Sequence, residues 1–419
     1  MVHWWRAVAA WCCALGSVSF TCRVQAKEPP VLLLSLDEAL LRANTASPDV
    51  VRAHYAEREA AARRVGAGLV IPQNPRLSLE ARPLLRGQLR DTGYGATIEV
   101  ALDAGGAPRA RVREAERALA VAHADLAAFR AESRVQTLSR YVSAQVAGLR
   151  IEQANAALVV AHRVLDATEG RVRAGASSDL ESSSATLEVA ELEADRVALE
   201  RERERARMDL RQILDLNPDV SLTLTTPVAE PPTLGEVAGL AERALRSHPE
   251  LVALRSRVQL WRATEARLAA EVFPRLAVYG GLDASPLSKT FGVIGISVEL
   301  PVVQRNQGPR AQAERARESA QAELDLDARA LSRTVMQAAA AYEASRQELE
   351  RLSAHALPAA ERTLALAEAG YEAGRFDVFR LLLAARDSLR VRASRINAIE
   401  AAWLFRIELE RAVGGEVKP

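Results

Sequence analysis

The chain has 419 residues, an almost even balance of 55 Lys and Arg against 54 Asp and Glu, and only 4% aromatics. That balance leaves no electrostatic footprint for nucleic acid or for an anionic membrane surface. Abundant Ala, Leu, Arg and Glu are the composition of long helices, so a mainly α chain is expected.

The first 26 residues have the plan of a secretory signal. Arg6 supplies positive charge, residues 7–20 are the apolar stretch, and Val24-Gln25-Ala26 is a small-x-small cleavage signal before Lys27. The apolar stretch is too short to cross a bilayer comfortably. The three cysteines, Cys12, Cys13 and Cys22, all lie inside this segment, so cleavage after Ala26 leaves a mature chain without thiols or disulfides. Lipidation at Cys22 is the alternative, and Thr21 and Ser19 ahead of it fit that signal poorly.

Beyond the signal, the chain is written twice. Residues 36–215 and 234–414 carry the same order of signals at an offset of about 200 residues, and a repeat of this kind sets the architecture. The expected organisation is a first repeat over 27–215, a connector over 216–233, a second repeat over 234–414 and a short tail over 415–419. Each half opens with a helix interrupted by proline, at Ser47-Pro48 and at His248-Pro249. Two alternating strands follow, expected at 76–84 and 94–102, then at 275–283 and 291–301. Leu77 and Leu79 share one face of the first strand; Ile98 and Val100 share one face of the second. Val278 lies on the uncharged face of the third, and Ile294, Ile296 and Val298 on that of the fourth. Strands of about nine residues with one uncharged face suit a tilted crossing of a bilayer, and these eight residues are the expected lipid contacts.

After the strands, each half runs into long helices. Pro108 and Pro309 stand at helix starts, a position that proline tolerates. Ile151, Leu158, Leu165 and Val172 recur every seven residues, as do Leu192, Leu199, Ala206 and Ile213, and Leu382, Leu389, Ile396 and Trp403. Sustained heptads mean coiled-coil packing between neighbouring helices. Pro358 predicts a kink or break in the second half. The helices reverse at Ala174-Gly175 and Ala373-Gly374. The connector, with Pro218, Pro227, Pro231 and Pro232, reads as irregular chain lying against the helices.

Nothing in the sequence carries catalysis. It has no phosphate-binding glycine loop, no His-Glu-x-x-His and no nucleophile elbow. His54, His123, His162, His248 and His355 are scattered, so no cofactor and no metal ligand set is expected. The strands instead argue for a pore. A sheet in lipid must close, because every backbone group there needs a partner. Four strands cannot close alone, since the smallest known barrels have about eight. Two copies would give a barrel filled by side chains, whereas three copies leave a lumen.

These signals resemble the outer membrane factors of Gram-negative tripartite efflux pumps and type I secretion systems, the TolC family. The resemblance rests on LDEALLRANTASPDVVRA and PQNPRLSLE in the first half, and on RALRSHPELVAL, VIGISVELPVVQRNQGP and GYEAGRFDVFRLLLAARDSL in the second. The stretch from Val303 to Gly308 is most similar to the heavy-metal cation efflux branch, of the CzcC type. The resemblance implies a mainly α fold with a small β part. It implies a homotrimer, with a twelve-stranded outer membrane β-barrel continued by a long periplasmic α-helical barrel. It further implies a periplasmic membrane-fusion adaptor and an inner membrane transporter of the RND type as partners, outer membrane lipid around the strands, and no nucleic acid. Multidrug efflux or type I secretion is the alternative cargo. A periplasmic coiled-coil adaptor without a pore is the alternative of another class, separated by the uncharged strand faces.

Each glycine turn joins two long helices whose other ends lead to the strands or the connector, so Gly175, Ala176, Gly374 and Arg375 are the expected periplasmic tip, where the adaptor implied by the resemblance docks. Tyr371, Phe376, Arg380 and Glu181 are the candidate aperture residues. Multidrug members carry acidic residues six and nine positions after the second turn glycine and an arginine two positions after it. Here those positions hold Arg380, Leu383 and Phe376, so an acidic ring does not carry over, while Tyr371 is kept. Arg380 either faces solvent or pairs with an acid such as Glu181.

Overall fold

A computed structural model describes residues 31–84, 91–103, 105–175, 178–235, 239–284 and 290–417. The signal segment 1–26 and Ala176 lie outside these residues. The duplicated order is visible throughout. The first half contains β1 (Val31–Leu34), α1 (Leu36–Ala46), α2 (Pro48–Ala62), β2 (Arg76–Leu84), β3 (Asp91–Leu102), α3 (Ala107–Arg173) and α4 (Asp179–Ile213). After β4 (Ser221–Leu224), the second half contains α5 (Leu240–Ser247), α6 (Pro249–Ala270), β5 (Arg275–Ala284), β6 (Phe291–Glu299), α7 (Gln307–Arg351), α8 (Leu357–Glu372) and α9 (Val378–Val413). The observed β3 starts three residues before the expected 94–102, and β6 stops two residues short of 301.

Local chemistry sets the boundaries. Ser35 and Glu38 form a capping box at the start of α1, with Glu38 Oε2 accepting from the Ser35 amide at 2.9 Å. Pro48 excludes the helical conformation from Ser47 (φ −56°, ψ 133°), so α1 stops and α2 restarts with proline in its first turn. His248 ahead of Pro249 repeats this at φ −59°, ψ 125°. α3 is continuous over 67 residues, roughly 100 Å at 1.5 Å per residue. In the second half the expected break at Pro358 takes the form of a π-helical turn, Leu352–Ala356, just ahead of it. Proline has no N–H for the usual ladder, and the Leu357 amide bonds five residues back to the Leu352 carbonyl.

The reading of the connector as irregular is corrected. Ser221–Leu224 is a strand, β4, pairing in parallel with β1. Beyond it the connector becomes a strap across the helices. Gln145 of α3 donates to the Thr226 carbonyl at 2.8 Å, Trp403 of α9 to the Ala229 carbonyl at 2.7 Å, and Tyr342 of α7 to the Pro232 carbonyl. Arg395 of α9 binds Glu230 at 2.8 Å. Two equivalent cores flank the strap. Tyr141 packs with Leu34, Leu210, Leu214 and Leu222, while Tyr342 packs with Val335, Leu240, Leu409 and Val413. Both tyrosines are fully buried and both donate to strap or strand carbonyls.

At the level of the strap the helices form a layer in the order α4, α3, α9, α7. Arg150 of α3 holds Glu202 of α4 at 2.5 Å and Glu400 of α9 at 2.6 Å, and Leu349 of α7 packs with Ile399 and Ala402 of α9.

Candidate functional site

The sheet is one layer, ordered β2-β3-β5-β6 and antiparallel throughout. Its centre is the β3–β5 pair, where the two halves meet, and its margins β2 and β6 have no further neighbour among the described residues. Register places the eight expected lipid contacts on a single face. Leu77 stands opposite Ile98, then Gly280 and Ile294; Val100 stands opposite Val278, then Ile296. Leu79 and Val298 share this face, and it carries no charged residue among the described ones. No element among the described residues covers it: Ile294 is 89% exposed and Leu79 75%. An apolar sheet face this open in water would be an aggregation hazard, so it requires a covering medium.

The other face is polar. It carries Arg76, Glu80, Arg82, Glu99, Arg275, Asp283 and Glu299 among small residues and the larger Tyr279, Phe291 and Val293, and Arg82 reaches across β3 to bind Asp283 at 2.6 Å. Alternation therefore produces one wall with an apolar and a hydrophilic side, the pattern of a channel strand.

The helix reversals lie at the end of the molecule farthest from the sheet, since α3 leaves the sheet at Ala107 and reaches the first reversal at Arg173. Gly175 (φ +70°) and Gly374 (φ +67°) take the left-handed conformation that closes each helix end. In the second turn the Arg375 and Phe376 amides both donate to the Gly370 carbonyl, at 2.8 and 3.2 Å. Asp377 then caps α9, accepting from the Arg380 amide at 2.9 Å. In the first turn Ser178 does the same for α4, accepting from Glu181.

Phe376 folds onto Gly370, and the Arg380 guanidinium stacks over the Phe376 ring at 4.8 Å. Among the described residues no ion pair joins Arg380 to Glu181; Arg380 is exposed and Glu181 half-buried. Tyr371 is buried, its hydroxyl 3.2 Å from Thr168 Oγ1 of α3, and Arg171 lies over its ring at 4.9 Å. Tyr371, Val164, Val378 and Leu381 share one core, so the two reversals sit side by side. Above them Arg386 of α9 binds the buried Glu188 of α4 at 2.5 Å.

Several residues escaped the sequence reasoning. The Glu188–Arg386 clasp has no sequence signal. Tyr141 and Tyr342 had one, since they are 201 residues apart, the offset of the repeat. The histidines are less scattered in space than in sequence: Glu57 lies 2.9 Å from His123 Nδ1 and 3.6 Å from His54 Nδ1. The hydrogen bond from His123 holds the Glu57 carboxyl below the usual carboxylate range. No group of three or more His, Cys, Asp and Glu suited to hold a metal ion occurs among the described residues, and no helix is long and apolar enough to cross a membrane.

A strand wall with one uncharged face, carried on a helical coil of about 100 Å, defines an outer membrane channel subunit. The chain belongs to the outer membrane efflux protein family, which it matches over residues 40–215 and 240–415. It is similar to the cobalt-zinc-cadmium resistance protein CzcC of Cupriavidus metallidurans, with 25% identity across 76% of each chain. Its fold is that of the outer-membrane channel OprN (TM-score 0.75, 21% identity, 92% of this chain and 91% of OprN). It also matches CusC (TM-score 0.76, 18% identity, 91% and 92%) and the outer membrane protein VceC of Vibrio cholerae (TM-score 0.73, 20% identity, 91% and 97%). The protein is therefore an outer membrane efflux channel subunit.

Proposed function

We propose that three copies close into one conduit, the outer membrane component of a tripartite pump that exports heavy-metal cations. The observation that carries the closure is the pair of unpartnered margins, β2 and β6, on a sheet whose exposed face is apolar. Lipid leaves no free strand edge, so a second copy must supply the missing pairings. Twelve strands then surround a lumen lined by the charged face, and the helices extend the tube into the periplasm. The conduit is passive; an RND-type transporter and a periplasmic adaptor energise and select the cargo.

The turns at Gly175 and Gly374 are the periplasmic tip, where the adaptor docks near Ala176 and Arg375, with Tyr371, Phe376, Arg380 and Glu181 around the aperture. Similarity to CzcC supports a metal cargo over drugs or protein. Deleting the gene is expected to sensitise cells to cobalt, zinc and cadmium while leaving drug tolerance unchanged; the reverse pattern would assign a multidrug role. A photocrosslinker at position 375 is expected to capture a periplasmic adaptor. Labelling of that position from outside intact cells would refute the topology.

A further inference from the structure

The helix α4 is dense with charge, and nearly every half-buried member is paired. Asp209 takes Arg140 at 3.2 Å, Arg196 takes Glu200 at 2.6 Å, and the buried Arg211 takes Glu204 at 2.9 Å. Arg203 and Arg207, one turn apart on α4, are half-buried arginines that are not paired. Both are half-buried and neither makes an ion pair or side-chain hydrogen bond among the described residues; Arg203 Nε is buried without an acceptor. Burial and the adjacent Arg203 charge push the Arg207 guanidinium down from its ordinary value. Two neighbouring cations half-shielded from water, with no carboxylate bonded to either and the nearby Glu204 already held by Arg211, are unfavourable in one copy alone.

Their place in the layer supplies a partner. In the order α4, α3, α9, α7, the helix α4 is one lateral margin and α7 the other, just as β2 and β6 are the margins of the sheet. A ring of copies is head-to-tail, so the α4 margin of one copy meets the α7 margin of the next. Height can be read off the ladder of contacts: Glu202, Arg150, Glu400 and Leu349 lie at one level. Glu348 of α7 is at that level and exposed, its carboxylate without an ion pair or hydrogen bond among the described residues. Beside it Gln347 donates its amide to Glu343, which leaves its carbonyl oxygen free to accept. Ala344, one turn toward the sheet, is exposed and small enough for a close approach.

We propose that Arg203 and Arg207 of one copy grip Glu348 and the Gln347 carbonyl of the next, forming a charged clasp at mid-height of the seam between copies. The clasp rests on the homotrimer reading. Within one copy α3 and α9 separate Arg207 from Glu348, so a bond between them can form only between copies. The residues after Cys22 contain no cysteine, which makes thiol chemistry selective.

The test is a full-length chain carrying Arg207→Cys with Glu348→Cys, extracted from oxidised membranes and run without reductant. A covalent dimer and trimer are expected, with monomer after reduction. In parallel, Arg203→Glu with Arg207→Glu should lower trimer yield at least tenfold, and adding Glu348→Arg should restore it to within twofold. If the unaltered chain is a trimer but the cysteine pair does not crosslink and charge reversal leaves the yield intact, the clasp is wrong and the homotrimer stands. If the unaltered chain is not a trimer, both readings fall.

Discussion

At Gly374 the backbone φ is +67°, and nothing lies within 4 Å of where a Cβ would sit, so only backbone strain opposes a side chain there. Gly175 is equivalent, at φ +70° with open space around it. A β-branched residue in this conformation costs about 1–2 kcal/mol. Gly175→Val with Gly374→Val should therefore distort both turns while the sheet and the trimer remain intact; efflux falls, and SDS-resistant trimer on gels does not. Gly370 presents a different constraint, because the Phe376 ring occupies the space that a Cβ would need. Gly370→Ala should displace that ring and the Arg380 stacked on it, read as a change in protease sensitivity at the turn. Away from the tip, Tyr141 and Tyr342 hold the strap. Tyr342→Phe leaves the Pro232 carbonyl without this donor and should destabilise the fold by about 1–3 kcal/mol, measured as a shift in denaturation midpoint.

At the scale of elements, the strand wall separates its two faces by alternation alone. An arginine at the bilayer midplane costs about 2–4 kcal/mol on the lipid side, whereas the lumen side tolerates charge. Ile98→Arg or Ile296→Arg is expected to cut membrane insertion and trimer yield, and Thr97→Arg, on the opposite face, to leave both near normal. Equal behaviour of all three in a fractionation assay would remove the assignment of faces. The long helices depend on heptads, but their lateral order depends on specific bridges. Arg150 ties α4, α3 and α9 at one height, and Glu188–Arg386 ties α4 to α9 again near the reversals.

For the whole molecule, closure is the decisive property. Among the described residues one copy has two open sheet margins and two open helix margins; in the proposed trimer both are satisfied by rotation of identical copies about one axis. That tube would place the glycine turns far from lipid. A cysteine at position 375 is then expected to resist membrane-impermeant thiol reagents in intact cells and to react once the outer membrane is permeabilised. Reaction in intact cells would invert the molecule.

The duplication, the strand pairs, the heptads and the glycine reversals were legible in the sequence because each is a local periodicity or a backbone requirement. Period two in the strands and period seven in the helices repeat in successive residues, and proline at Pro48 or Pro249 acts on its immediate neighbour. Other features were not legible. The β1–β4 pairing joins residues 31–34 to 221–224, and a four-residue apolar strand is too short to announce its partner. The π-turn before Pro358 depends on the helix finding an alternative hydrogen-bond pattern, whereas proline alone implies only an interruption. Which acid Arg386 takes, and that Arg203 and Arg207 find none within the copy, follow from how helices distant in sequence come to lie at one height. Sequence by itself thus determined the repeated elements and their amphipathic faces. Tertiary structure decided their lateral order and the margins left open, because packing between distant segments fixes which charges and strand edges remain without a partner.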